Sequence, residues 1–315
     1  MLGRSANDLF WMSRYIERAE NMARLLDVGY RLSLTPRQGL EADGEWRSTL
    51  RSAGCEAGYL ARHGEISSAR VIDYLLFDAD NASSIHTCLA TARRNARAQR
   101  TAITREMWES LNGAWTEFRA IDRSRLGANE MPRLFDWIKE RSALYRGALT
   151  GTILRNDTFD FSEAGTFVER ADSTARILDV KYYVLLPHTH AVGSGIDTLQ
   201  WGAILRSVSA HRSYRWVYRD SYRPWHVADF LILNPQMPRS LRSSYAEIVA
   251  ALAHLEANYG ATNDCLARAR EILGSLEVAG MTGIFQAGLH DFLTGFIERN
   301  NGLARSIATA YHFEV

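Results

Sequence analysis

Two sixteen-residue segments of this chain are near copies of one another, and both have the spacing of a helix. Residues 15–30 read YIERAENMARLLDVGY, and residues 167–182 read FVERADSTARILDVKY. Nine of the sixteen positions are identical, and four more are conservative exchanges. Unrelated segments would share about one position, so we interpret the pair as an internal duplication. A chain that contains one supersecondary unit twice is predicted to fold as two related halves.

The similarity continues beyond this motif. The residues Trp46, Leu50, Arg51, Ser52 and Tyr59 recur in the same order as Trp201, Leu205, Arg206, Ser207 and Tyr214. DYLLFD at 73–78 resembles DFLILN at 229–234, and Ser84 matches Ser240. The offset between the copies grows from 152 to 156, which corresponds to four extra loop residues. A third and weaker copy, FIERNNGLARSI, occupies residues 296–307.

Helical periodicity runs through most of the chain, which contains only six prolines. In the first motif, apolar residues recur every three or four positions, which places them on one helix face. Asn7 or Ser5 fits the N-cap of this helix, and Pro36 follows its expected end. Tyr74–Phe77 is a short apolar run that fits either a strand or a helical turn. Further long helices are predicted over residues 81–112, 132–155, 238–274 and 281–311.

We therefore predict an all-α fold, an elongated or compact helical bundle built from two internally duplicated halves. Residues 1–150 form the first half, and residues 151–315 form the second half, which includes a long C-terminal helix. No segment rich in Gly, Ser or Pro separates the halves, so they are expected to pack as one structural domain.

The composition argues against several classes of protein. The net charge is +1, so no bulk field favours nucleic acid or a membrane surface. Cys55, Cys88 and Cys265 are too few and too far apart for a disulfide framework or a CxxC metal site. The sequence shows no signal peptide and no apolar run of about 18 residues, so a cytoplasmic protein without membrane association is expected.

Charged side chains form one stripe along each copy of the motif. On a helical wheel these are Glu17, Glu20, Arg24 and Asp27 in the first copy and Glu169, Asp172, Arg176 and Asp179 in the second. Arg18 and Arg170 lie beside the stripe, at the edge of the apolar face. In a structural interpretation, Glu17 forms an ion pair with Arg170 or Arg299, and Glu169 pairs with Arg18. Such pairs fix the register of two helices more than they stabilise them.

Two functional interpretations remain open beside the structural one. The repeated Glu and Arg side chains could line a central polar cavity that holds a charged ligand, or they could form an exposed face that docks on another protein. In the cavity interpretation, Glu17 or Glu169 could also serve as a general base whose pKa is raised by burial. No nucleophile elbow, P-loop or dinucleotide fingerprint accompanies the motif, so a non-catalytic role is favoured.

The carboxylates are spaced for metal binding, but the usual nitrogen ligands are missing. Helical di-iron sites combine Glu residues with Glu-x-x-His, and none of the nine histidines lies three residues after a Glu. A site in which oxygen ligands alone hold a hard cation of the Mg²⁺ type is an alternative that stays open. His188 and His190 form an H-x-H pair, which by itself is a weak metal signal. We predict no metal and no cofactor.

A second arginine cluster lies within ATARRNARAQRTAITRE, where Arg93, Arg97 and Arg100 are predicted to share a helix face. A phosphate or an acidic partner could bind there. A solvated face paired with acids is the alternative interpretation. Basic and aromatic residues do not alternate in this segment as they do in proteins that bind single strands, so nucleic acid is not expected.

Four segments together resemble the bacterial alpha-E domain proteins, a family named for its helices and its repeated Glu-Arg motif. They read NDLFWMSRYIERAENMARLLD, GTFVERADSTARILD, FLILNPQMPRS and HDFLTGFIERNNGLA, and the similarity covers nearly the whole chain. The signature positions are Arg14, Glu17, Arg18 and Asn21, then Glu169, Arg170 and Asp172, and in the third copy Glu298 and Arg299. The third copy has Asn300 and Asn301 where the others have Ala and an acid.

The resemblance implies a role beside another protein. In the family that the chain resembles, the proteins look like partners of a circularly permuted ATP-grasp ligase. Transglutaminase-like and proteasome-like peptidases are often encoded in the same neighbourhood. This implies an accessory subunit in peptide or amide ligation that presents a charged substrate or peptide. The chain contains no ATP-grasp domain, so the ligase is expected to be a separate polypeptide. A stand-alone enzyme and a pure protein scaffold are the alternatives.

Overall fold

The computed structural model describes residues 1–34, 44–127, 129–185 and 195–313. Over these residues the backbone forms fifteen α-helices and one short 3-10 turn, without a β-strand, so the all-α prediction is confirmed. None of the described helices has both the length and the apolar content to cross a membrane. His188 and His190 lie outside the described residues.

In the described part of the chain, seven helices precede residue 153. They are α1 (Gly3–Ser33), α2 (Gly44–Ser52), α3 (Glu56–His63), α4 (Ser68–Leu76), α5 (Ile85–Ala98), α6 (Arg105–Arg119) and α7 (Glu130–Thr152), with the 3-10 turn Arg123–Arg125 before α7. Eight more follow. They are α8 (Asp157–Leu185), α9 (Gly195–Ser207), α10 (His211–Tyr218), α11 (Pro224–Ile232), α12 (Leu241–Tyr259), α13 (Asp264–Val278), α14 (Met281–Ala287) and α15 (Leu289–Ala310).

The two long helices that carry the motif, α1 and α8, make the most extensive helix–helix contact of the described structure. Around α1 lie α5 and α7, and α6 closes that group by packing on both. Around α8 lie α12 and α15, and α13 closes the second group in the same way. Corresponding helices thus have corresponding neighbours, while the duplication itself stays an inference from the sequence.

The crossing of α1 and α8 is close because one of the helices has a glycine at the contact. A Cβ placed on Gly165 would lie 2.2 Å from the carbonyl oxygen of Phe10, so no larger residue fits there without moving a backbone. Every residue from Ala19 to Gly29 in α1 is buried. The helix is therefore enclosed on all sides, and its charged stripe is enclosed with it.

Several predicted boundaries were wrong, and the reasons are local. The helix expected over 81–112 is divided at Thr104, whose side chain accepts a hydrogen bond from the backbone N–H of Met107 and caps α6. The helix expected over 238–274 ends at Gly260, whose φ of +64° suits a residue without a Cβ. A glycine between α14 and α15 likewise divides the segment 281–311.

The other boundary predictions have mixed outcomes. The helix expected over 132–155 is α7. Tyr74–Leu76 belongs to α4, so the helical alternative is correct for that run. The N-cap of α1 is Leu2, without a side-chain hydrogen bond, and Ser5 and Asn7 lie inside the first turns of the helix.

Candidate functional site

Glu169 of α8 is buried between two arginines of α1. Arg14 donates to Oε2 through Nε at 2.9 Å, and Arg18 donates to Oε1 through Nε at 2.5 Å and to Oε2 through Nη2 at 2.9 Å. Arg14 also stacks on Trp11, with 4.5 Å between guanidinium carbon and ring centre. Burial alone would raise the pKa of Glu169, but Arg18 and Arg14 outweigh it and lower the pKa to about 2. The carboxylate is therefore ionised at neutral pH.

Glu17 of α1 makes the reciprocal contact with α8. Arg170 forms a fork on its carboxylate, with Nε to Oε1 at 3.0 Å and Nη2 to Oε2 at 3.1 Å. Arg239, which precedes α12, donates to Oε1 at 3.2 Å, and Arg146 of α7 donates to Oε2 at 2.9 Å. Burial would raise the pKa of Glu17, but Arg170, Arg239 and Arg146 hold it below its usual range. The expected Glu17–Arg170 and Glu169–Arg18 pairs are thus present.

Glu20 shares the same guanidinium groups. Arg24 donates to its Oε1 through Nε at 2.9 Å and Nη2 at 2.7 Å, Arg239 donates to Oε1, and Arg146 donates to Oε2. Burial would raise the pKa of Glu20, but Arg239, Arg24 and Arg146 hold it well below its usual range. Burial lowers the pKa of Arg239 to about 10, which leaves it charged at neutral pH. Two carboxylates and four arginines therefore form a closed network, in which Glu17 and Glu20 use all of their oxygens.

Asp172, the residue that corresponds to Glu20 in the second copy, is much less fully engaged. Arg176 donates to its Oδ2 at 2.6 Å and reaches the carbonyl oxygen of Ser52 at 3.3 Å. Oδ1 of Asp172 is buried without a hydrogen-bond partner among the described residues, and so is the hydroxyl of Ser52. Asp172 is only 9 % exposed, so its Oδ1 lacks, among the described residues, the partner that a buried polar atom normally has.

These unsatisfied atoms belong to residues that line a cavity between α1 and α8. The cavity has a volume of about 260 Å³ and opens to solvent on one side. Its charged lining consists of Arg14, Arg18, Glu169, Asp172 and Arg176. Its other lining residues are Asn21, Met22, Leu25, Ser52, Ala53, Gly54, Ser83, Ser173, Ile177 and Asn301. We call this cavity the Asp172 pocket.

The third copy of the motif does not join either network. Glu298 and Arg299 are exposed on α15, so the proposed pairing of Glu17 with Arg299 is wrong. Helical phase explains this difference, because α15 turns Phe296 and Asn300 inward instead. The side-chain amide of Asn300 donates to the carbonyl oxygen of Val168 at 3.0 Å, and its oxygen accepts from Tyr245. An amide at this position suits a buried contact with the backbone.

Arg93, Arg97 and Arg100 do not form one continuous helix face, because α5 ends at Ala98. Arg93 donates to Asn112 at 2.8 Å, and both Arg93 and Arg100 stack against Trp108. Arg97 is exposed. Within the described ranges, no cluster of three or more His, Cys, Asp or Glu side chains is arranged to hold a metal ion.

Arg146 and Arg239 were not identified from the sequence. Both lie outside the repeated motif, and Arg146 has no acidic neighbour in a pattern that would indicate its role. Arg239 immediately precedes Ser240, and alignment with Ser84 places it opposite Ser83. This difference between the halves, serine in the first and arginine in the second, is the sequence signal that could have identified Arg239.

The short helix α10 was also missed, although basic and aromatic residues alternate there. Within HRSYRWVYRDSYRPW, Arg212, Arg215 and Arg219 are exposed and make no ion pair with another described residue. Trp216 is 80 % exposed. Beside it lies a groove of about 390 Å³, lined by Arg212, Ser213, Trp216, Val217, Phe230, Asn234, Gln236, Met237 and Pro238. We call this surface the α10 face.

Fold and site together define an all-helical protein in which two Glu-Arg motifs, about 150 residues apart, bind each other's charged groups. Residues 1–312 match the model of a family, Alpha-E, which is described as a predicted alpha-helical domain with a conserved ER motif. The chain therefore belongs to the Alpha-E family. No curated protein and no solved structure matches it.

Proposed function

We propose that this protein is a cytoplasmic, non-catalytic accessory subunit that holds a small charged compound in the Asp172 pocket for a separate ATP-grasp ligase. The observation that carries the proposal is a cavity of about 260 Å³, open to solvent, whose lining contains five charged side chains, Arg14, Arg18, Glu169, Asp172 and Arg176. Charged side chains that line a small cavity can bind a ligand of complementary charge, because hydrogen bonds to ionised groups are strong. The assignment of a ligase partner follows from the resemblance to alpha-E proteins.

The electrostatics disfavour the alternative of a stand-alone enzyme. A general base at neutral pH needs a pKa near 7, whereas Glu17 and Glu169 have pKa values below their usual range. Burial raises the pKa of Glu163 to about 7, but Glu163 does not line the Asp172 pocket. The carboxylates of the motif are therefore suited to hold charge in place and poorly suited to transfer protons.

The α10 face supports a docking role. Exposed Trp and Arg side chains beside an apolar groove are typical of the residues that contribute most to protein–protein interfaces. Arg212, Arg215 and Arg219 form no ion pair with another described residue, which favours a partner segment that carries carboxylates. The groove is lined by Val217, Met237 and Pro238, which suits an apolar side chain between those carboxylates. We propose that an acidic segment of the ligase binds here.

The test is reconstitution with a circularly permuted ATP-grasp ligase, the partner that the resemblance implies. The wild-type protein is expected to form a complex in size-exclusion chromatography and to raise ligase turnover. Trp216→Ala with Arg212→Glu should weaken the complex at least about tenfold, since central Trp and Arg contacts commonly contribute 2 kcal/mol or more. Val278→Ala with Arg270→Glu is the matched control on another exposed surface.

A second variant separates the accessory role from a pure scaffold. Asp172→Asn keeps the shape of the side chain and removes its charge from the pocket. If the protein presents a ligand, this variant should still bind the ligase but lose the stimulation of turnover. A ligase that forms no complex with the wild-type protein, or whose turnover does not respond to it, contradicts the proposed function.

A further inference from the structure

One difference between the two charged networks lies beside the pocket, at the residue that precedes the N-cap of α5 or α12. Ser84 and Ser240 are matching N-caps, since each accepts a hydrogen bond from a backbone N–H three residues later in α5 or α12. The residue before each cap is Ser83 in the first half and Arg239 in the second. Arg239 is buried and binds Glu17, Glu20 and Asn21. Ser83 instead lines the Asp172 pocket.

One of the carboxylates that Arg239 binds in the first network has a less fully paired counterpart in the second. Glu20 corresponds to Asp172, and it receives Arg239 where Asp172 Oδ1 receives nothing. Among the described residues, Asp172 accepts from one guanidinium group, that of Arg176, where Glu20 accepts from three, so a cationic donor fits the Asp172 end of the pocket.

The net positive charge of the pocket lining indicates that the ligand also carries negative charge. The lining contains three guanidinium groups, from Arg14, Arg18 and Arg176, against two carboxylates, Glu169 and Asp172. Arg18 and Arg176 remain partly exposed, with 22 % and 30 % of their side chains accessible. A ligand with one more carboxylate than ammonium group would balance this excess, because arginine binds carboxylates in a fork. The volume of about 260 Å³ is below that of sites for drug-sized ligands and suits a small metabolite.

From these observations we infer that the Asp172 pocket binds an acidic amino acid, free or at the end of a short peptide. Its ammonium group binds the carboxylate of Asp172, and its carboxylates accept from Arg18 and Arg176. This inference rests on the proposed function and names the compound class that the protein presents. The ammonium takes the role that Arg239 has in the other network.

The experiment is isothermal titration of the full-length protein with L-glutamate. Three analogues each test one feature: glutarate lacks the ammonium group, 4-aminobutyrate lacks the α-carboxylate, and L-arginine carries the opposite net charge. L-glutamate is expected to bind at least about tenfold more tightly than each of them, which is the effect of one charged contact. No heat with L-glutamate, or equal binding of glutarate or L-arginine, overturns the inference.

Two variants locate the binding. Ser83→Arg places an arginine where the other half has Arg239, so it should fill the pocket, abolish glutamate binding and leave the thermal midpoint unchanged or higher. Asp172→Asn should weaken binding at least about tenfold with the helical circular dichroism unchanged. Ser124→Arg, at an exposed serine of the 3-10 turn, is the matched control and should bind as the wild type does.

The variants also separate this inference from the proposed function. Glutamate binding that persists in Ser83→Arg would place the ligand elsewhere and overturn the site. Ligase turnover that is stimulated by the wild-type protein without any glutamate binding would overturn the ligand class and leave the accessory role standing. Glutamate binding without an effect on the ligase would support the site and contradict the accessory role.

Discussion

Replacing Glu17 by Gln should remove a large part of the stability of the fold. The Glu17 carboxylate is fully buried and accepts from Arg170, Arg239 and Arg146. Without it, one carboxylate, Glu20, remains against four guanidinium groups. Removing one member of a buried ion pair costs about 3–5 kcal/mol, because the remaining charge stays buried without compensation. Most domains have about 5–15 kcal/mol in total, so the loss is a substantial share.

The assay is urea unfolding followed by circular dichroism at 222 nm. Glu109→Gln is the control, since Glu109 forms an exposed i,i+4 pair with Arg105 and should change the free energy of unfolding by less than about 1 kcal/mol. A double-mutant cycle with Arg170→Gln should give a coupling energy of about 1–3 kcal/mol. If Glu17→Gln costs no more than the control, the buried network does not hold the two halves together, and the reasoning is wrong.

Three further predictions concern acid stability, packing and thiol reactivity. The pKa of Glu169 is lowered to about 2 from 4.5, so its ionised form contributes about 3 kcal/mol to the free energy of unfolding above pH 4.5. This contribution should disappear as the pH falls towards 2. Urea midpoints measured between pH 7 and pH 2 check this, and a midpoint that does not change with pH contradicts it. Gly165→Ala should destabilise the protein by more than about 1 kcal/mol in thermal unfolding, because its Cβ would meet the Phe10 carbonyl, whereas Gly147→Ala, at an exposed helical position with open space, should be neutral or stabilising. Burial raises the pKa of the Cys88 thiol to about 12, so native protein at pH 8 should leave it unmodified by iodoacetamide until urea is added, and rapid labelling in the native state would refute its burial.

The helical class and the central contact could be predicted from the sequence because both depend on local spacing. The periodicity of the first motif indicates a helix, and duplication of a Glu-Arg dipeptide implies two partners of opposite charge. Glu17–Arg170 and Glu169–Arg18 are accordingly present in the structure. Helix ends were less predictable, because a single cap such as Thr104 or a left-handed Gly260 divides an otherwise periodic segment.

The rest of the site depends on contacts between distant segments. Arg146 and Arg239 reach Glu17 and Glu20 from 126 to 222 residues away, and no spacing rule connects positions so far apart. The phase of α15 is another example, because packing of Phe296 turns Glu298 and Arg299 to the outside. The Asp172 pocket depends on a missing arginine, and a sequence shows such a gap only after its halves have been aligned.

The reciprocal pairing of α1 and α8 has a consequence for synthesis on the ribosome. Glu17 leaves the exit tunnel 153 residues before Arg170, which corresponds to about 8–30 s at ordinary elongation rates of about 5–20 residues per second. During that interval Glu17 and Glu20 have been made but Arg170 and Arg239 have not, so the buried network of ion pairs cannot be completed. Chaperone occupancy on this nascent chain should therefore persist until α8 has emerged, and codons that slow elongation between the two helices should lower the yield of folded protein.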